Sequence, residues 1–135
     1  MSQENVDAFK RATDAANRRD IEAMLEDLDP DVEWHPAIAA LLGGKATMYR
    51  GHEGVREWFR DQEEVFAEVR IDYSEIRDVG ERVVGIGRLR TRGKASGAET
   101  ESPVAWVIEL KNGKAIHARA YLEPREALEA AGLRE

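Results

Sequence analysis

The chain contains no cysteine. Disulfide frameworks, thiolate metal sites and cysteine nucleophiles are therefore excluded, and a reducing cytoplasm is the expected location. Long apolar runs are also missing. The longest, Ala37 to Leu42, falls far short of the roughly 20 residues a spanning helix needs. Met1 to Phe9 carries Glu4 and Asp7 and lacks the apolar stretch of a signal peptide. An excess of positive charge is missing too: 27 Asp and Glu outnumber 20 Lys and Arg, the net charge is -7 and the pI is about 5.1. Such a surface repels phosphate backbones and anionic membranes. One basic stripe, Arg88, Arg90, Arg92 and Lys94, runs against this average, but no aromatic residue is interleaved with it. Neither nucleic acid nor membrane is expected as a partner. The three histidines, His35, His52 and His117, are scattered without metal-ligand spacing, so no metal and no cofactor are expected.

What is present is an ordinary globular balance, 42% hydrophobic and 35% charged over 135 residues. That length buries one good core, so a single domain over residues 1–135 is expected. Val6, Phe9, Thr13 and Ala16 form the inner stripe of a first helix opened by Ser2. Asp20 reads as the N-cap of a short second helix carrying Ile21, Met24, Leu25 and Leu28. Val32 to His35 reads as a strand ended by Pro36. An apolar loop follows, Pro36 to Met48, with a Gly43-Gly44 hinge suited to a lid. A third helix spans His52 to Ala67, with Val55, Trp58, Phe59, Gln62 and Phe66 inward. The remainder alternates with period two in four strands, 69–76, 82–91, 102–110 and 114–122, with Asn112-Gly113 as the clearest hairpin turn. Pro124 to Ala131 closes the chain as a short helix with Gly132 past its end. Helices packed on one face of an antiparallel meander give an α+β fold.

Three segments carry a family resemblance: Asp31-Val32-Glu33-Trp34-His35-Pro36, the run from Tyr49-Arg50-Gly51 through Trp58-Phe59, and the tail from Arg119 through Leu133. Together with the element order they resemble the nuclear transport factor 2-like superfamily, in its SnoaL-like branch, many of whose members are bacterial. The resemblance implies a cone-shaped curved sheet wrapped around the helices, a small-molecule pocket inside it, and a homodimer through the convex sheet face. It also implies a range of activities, ketosteroid isomerases and polyketide cyclases among them, because one fold hosts many functions.

The position matching the isomerase general base is His35, whose ordinary pKa suits proton transfer near neutrality. The positions matching the isomerase oxyanion donors are Ala12 and Trp106, which cannot donate as the originals do. Arg88, sharing a strand face with Val84 and Ile86, is a candidate for clamping an oxygen in the pocket; the rival reading pairs it with Glu101 across the hairpin. Tyr49 is a second candidate for polarising an oxygen. Trp34, Trp58, Phe59, Trp106, Ala118, Ala120 and Leu122 are expected to wall the pocket. His117, Arg119 and Tyr121 alternate on the other face of the last strand and are read as a dimer face. A one-residue slip would turn them inward as a polar cluster. Two functions stay open: an enzyme of proton transfer with His35 as base, and a non-catalytic module that binds a small apolar or aromatic molecule.

Overall fold

The computed structural model describes residues 2–37 and 48–132. The expected lid and its glycine hinge lie outside the described residues, Pro36, Ala37 and Met48 excepted. Helix α1 (Ser2–Asn17) and the short α2 (Ile21–Leu25) come first, then strand β1 (Leu28–His35) and the two-residue β2 (Tyr49–Arg50). Helix α3 (Gly51–Val65) leads into β3 (Phe66–Val79), β4 (Arg82–Gly93), β5 (Glu99–Lys111) and β6 (Lys114–Tyr121), and α4 (Pro124–Ala130) closes the chain. The strands form one curved sheet in the order β2-β1-β6-β5-β4-β3. Strands β3 to β6 are the antiparallel meander, whereas β1 lies parallel to β6.

Local chemistry explains the boundaries. Asp20 caps α2 by accepting from the Ala23 N–H at 3.2 Å. Strand β1 begins earlier than the sequence suggests, at Leu28, and its register with β6 shifts between Leu28 and Glu33. Pro30 lies in that stretch and has no N–H to give a ladder. Asn112 (φ 54°) and Gly113 (φ 79°) make the left-handed pair that a two-residue hairpin needs.

The core fills the space between the inner sheet face and helices α1 to α3. Val32, Trp34, Val83, Leu89, Val104, Trp106 and Ile108 meet Phe9, Val55, Trp58 and Phe59 there. A second, smaller core lies on the outer face, where Ala127, Leu128 and Ala131 cover Val84, Ala105 and Val107. This corrects the expected orientation of β4. Its inner face presents Val83, Gly85, Gly87 and Leu89, and its outer face Val84, Ile86 and Arg88. The glycines are inward because there is no room for anything else. A Cβ on Gly85 would sit 2.4 Å from Cζ of Phe9 and 2.8 Å from Cε1 of Tyr73.

The basic stripe is spent in pairs across the strands and with the end of α3. Arg88 and Arg90 reach Glu101 at 3.5 and 3.4 Å, Arg92 reaches Glu68 at 3.6 Å, and Lys94 donates to the Glu63 carbonyl at 3.0 Å. No helix among the described residues is long and apolar enough to cross a membrane.

Candidate functional site

Two adjoining cavities, of about 80 and about 50 Å³, lie between α1, α3 and the inner sheet face. They share Ala16, Asn17, Trp58, Ile71 and Trp106 as a common waist. The larger lobe adds Phe9, Ala12, Thr13, Trp34 and Tyr73, and the smaller adds Pro36, Phe59, Gln62 and Ala120. The three tryptophans form one cluster. Trp34 lies 5.2 Å from Trp58 and 4.8 Å from Trp106, centroid to centroid, and Trp58 stands edge-on to Trp106 at 6.2 Å. Such contacts hold the rings in place beyond the effect of their burial alone.

The polar groups of this wall are few and mostly committed. Asn17 donates to the Ile71 carbonyl at 2.8 Å and accepts from the Ile71 N–H at 3.1 Å, pinning the end of α1 to β3. Arg19 lies over the Phe59 ring at 4.7 Å and donates to Gln62 at 3.1 Å. Asp27 is taken by Arg11 at 2.9 Å. Burial pushes the Tyr73 phenol well above its ordinary range, against the opposing pull of its hydrogen bond with Thr13, so it stays neutral. Two donors are left over. The indole N–H groups of Trp34 and Trp58 are buried and have no acceptor among the described residues. Most buried N–H groups are paired, because an unsatisfied one costs about 1–3 kcal/mol.

The structure separates the residues that the sequence proposed for chemistry. His35 does not reach the cavity. It alternates with the inward Trp34, so its ring lies on the outer face, 5.0 Å from the ring of His117. Burial pushes its imidazole below the ordinary value, while the Glu33 carboxylate, 3.5 Å away, pulls the other way. The reading of His35 as pocket base is corrected accordingly. Arg88 is exposed on the outer face beside Glu101, so its placement in the pocket is corrected too. Tyr49 is buried, but its hydroxyl donates to Asp61 at 2.7 Å and lines neither lobe. Burial first, and Asp61 second, push its phenol far up. Leu122 is 42% exposed and stands outside the wall. Ala118 is fully buried against Trp34 in the ladder without facing either lobe, whereas Ala120 lines the smaller one. His117, Arg119 and Tyr121 lie opposite in face to Ala118 and Ala120, on the outer side.

Missing from the sequence reading were Thr13 and Asn17 as cavity walls and Ile71 and Tyr73 across from them. The helical stripe of α1 carried the signal for the first two. His52, the first residue of the third helix expected from the sequence, is half-buried and donates to the Leu28 carbonyl at 2.9 Å.

Residues 9–118 match the family model of the SnoaL-like domain. Among solved structures, a nuclear transport factor 2-like protein of unknown function from Burkholderia pseudomallei is 25% identical. The match covers 93% of this chain and 95% of that one, with a TM-score of 0.81. A nuclear transport factor 2-like protein from Burkholderia xenovorans is 28% identical over 97% of each chain, with a TM-score of 0.74. TerC, co-crystallised with polyporic acid, is 23% identical over 96% of this chain and 98% of its own, with a TM-score of 0.81, a likeness of fold. No curated protein matches the chain at a significant level.

Proposed function

The chain belongs to the SnoaL-like family and has the nuclear transport factor 2-like fold, and from that premise we propose that it binds a small apolar or aromatic molecule among its three tryptophans. The observation that carries this reading is the pair of buried, unpartnered indole N–H groups in the wall of an otherwise apolar cavity. The ligand would therefore bring an acceptor oxygen, a carbonyl above all, on an apolar body. Size narrows the class further. Each lobe, about 80 and about 50 Å³, is smaller than the engineered cavity of about 150 Å³ that admits benzene. A single ring with a short substituent has to span both lobes, and a fused polycycle is too large.

Binding without catalysis is the reading favoured. Among the described residues, the wall's ionisable groups are each engaged: Asp27 with Arg11, Arg19 with Gln62 and Glu63, and Tyr73 held neutral. None is poised as a base. The test compares acetophenone with ethylbenzene by calorimetric titration. Satisfying one or two buried donors favours the ketone by about tenfold. The preference should shrink toward unity in a Trp34→Phe/Trp58→Phe variant, which keeps aromatic rings and removes both donors. Equal affinity of wild type for the two compounds would sink the proposal.

A homodimer through the outer sheet face is proposed alongside. Helix α4 already covers the apolar part of that face. The surface left to a second copy is the strip bearing Arg119, with its guanidinium 5.7 Å from the Tyr121 ring. Sedimentation velocity should give a dimer for wild type and a monomer for Arg119→Glu. A monomeric wild type at tens of micromolar would refute it.

A further inference from the structure

The same outer face holds a cluster that the binding function does not use. Strand β1 runs parallel to β6, with Glu33 beside His117 and His35 beside Arg119 in the register. Alternation turns Glu33, His35 and His117 to one side. One ligand atom from each, a carboxylate oxygen and two imidazole nitrogens, lies within 4.8 Å of the others. The sequence spacing of the histidines offered no such group, because the two that meet come from strands at opposite ends of the chain.

We propose that Glu33, His35 and His117 form a binding site for a divalent transition metal, of which Zn(II) is the best match. Two imidazoles and a carboxylate are borderline ligands that suit Zn(II), with a fourth position left for water or a further ligand. Zinc–ligand bonds of about 2.0–2.2 Å put tetrahedral ligand atoms roughly 3.4 Å apart. The Glu33 Oε1 to His35 Nε2 separation is already 3.5 Å. His117 has to close the remaining gap, at most about 1.4 Å, by a turn of its half-buried side chain. His35 Nε2 has no hydrogen-bond partner among the described residues. Glu33 divides its oxygens, giving Oε2 to Arg50 at 3.4 Å and leaving Oε1 toward His35.

The charged neighbours set the site's net field. Arg50 pairs with Glu33, and Arg119 lies beside His35 in the register. Glu109 lies opposite His117 on β5, and Arg82 opposite Glu109 on β4. The two carboxylates flanking His117 offset two of these three arginines, and a bound dication also gains the direct charge of Glu33 as a ligand. A bound ion would tie β1 to β6, the one parallel pair among the described residues, and so fasten the first half of the chain to the meander.

Titration of tag-free protein with Zn(II), and with Co(II) as a visible reporter, tests this. One ion per chain is expected, with a Co(II) absorption of low coordination number and a higher melting temperature. His35→Ala and His117→Ala should each weaken binding at least tenfold, and His52→Ala should leave it unchanged. Imidazole nitrogen NMR of the wild type serves where a variant fails to fold: Zn(II) should shift the His35 and His117 resonances and spare His52. Binding that survives in the His35→Ala/His117→Ala double variant, no binding at millimolar Zn(II), or shifts confined to His52 would each overturn the proposal.

Discussion

Trp106→Ala is expected to lower the melting temperature by roughly 10–20 °C, the equivalent of about 3–5 kcal/mol. Trp106 is 5% exposed and stands at the centre of the sheet's inner face. Its ladder neighbours are small, Gly85 on β4 and Ala120 on β6, and the space over Gly85 is taken by the rings of Phe9 and Tyr73. The Trp106 indole touches Trp34 and Trp58 and forms part of the waist common to the two lobes. Truncation removes the ring's burial and also leaves a void that rigid strands cannot collapse into. The variant should gain in one respect. With the waist opened, it should accept a fused two-ring compound such as naphthalene that wild type excludes. Thermal denaturation followed by circular dichroism, with and without naphthalene, measures both effects. Leu122→Ala, at a residue 42% exposed, is the matched control and should change stability by less than about 0.5 kcal/mol.

Gly87→Ala ranks second and is expected to lose about 1–3 kcal/mol or more. The added methyl would lie 2.1 Å from the Asp72 carbonyl oxygen and 2.7 Å from Cα of Tyr73, both backbone atoms of β3. The pairing of β3 with β4 shifts register between Tyr73 and Glu75, a bulge that brings β3 over Gly87. Backbone cannot rotate aside, so the whole strand must move. Gly85→Ala makes the informative contrast. Its methyl meets the rings of Phe9 and Tyr73, side chains that line the larger lobe. Those rings can yield into the cavity, so the stability loss should be smaller and the loss of ligand affinity larger. Denaturant melts and ligand titrations on the two variants should show that crossed pattern.

Much of the fold was readable from local chemistry. The Asp20 cap, the Asn112-Gly113 turn and the period-two run from Val69 onward are short-range signals, although Phe66 and Ala67, read as the end of the third helix, belong to β3. The inward position of Trp34, Trp58 and Trp106 followed from strand alternation and the helical stripe of α3. Arg88 shows where this logic fails. Apolar alternation identifies the buried face only when the other face is wet. On β4 both faces are dry at the centre, since α4 covers Val84 outside while Gly85 and Gly87 admit Phe9 and Tyr73 inside. The valine and isoleucine pointed outward, and Arg88 went with them. His35 failed for a related reason: alternation put it opposite Trp34, and the resemblance to an isomerase base outweighed that parity. The meeting of His35 with His117 was invisible because parallel pairing of β1 with β6 is a long-range fact. The shift in the ladder between Glu109 and Leu110, which skips Ile116, also places Ala115 rather than Ile116 in the core.

The central claim is that a small molecule with an acceptor oxygen sits among the three tryptophans and receives hydrogen bonds from Trp34 and Trp58. Its most direct measurement is a proton–nitrogen correlation spectrum of the indole N–H groups during titration with acetophenone and, separately, ethylbenzene. The account predicts downfield shifts of the Trp34 and Trp58 indole protons with the ketone, larger than any produced by the hydrocarbon. Ketone binding that leaves both resonances where the hydrocarbon leaves them would contradict it.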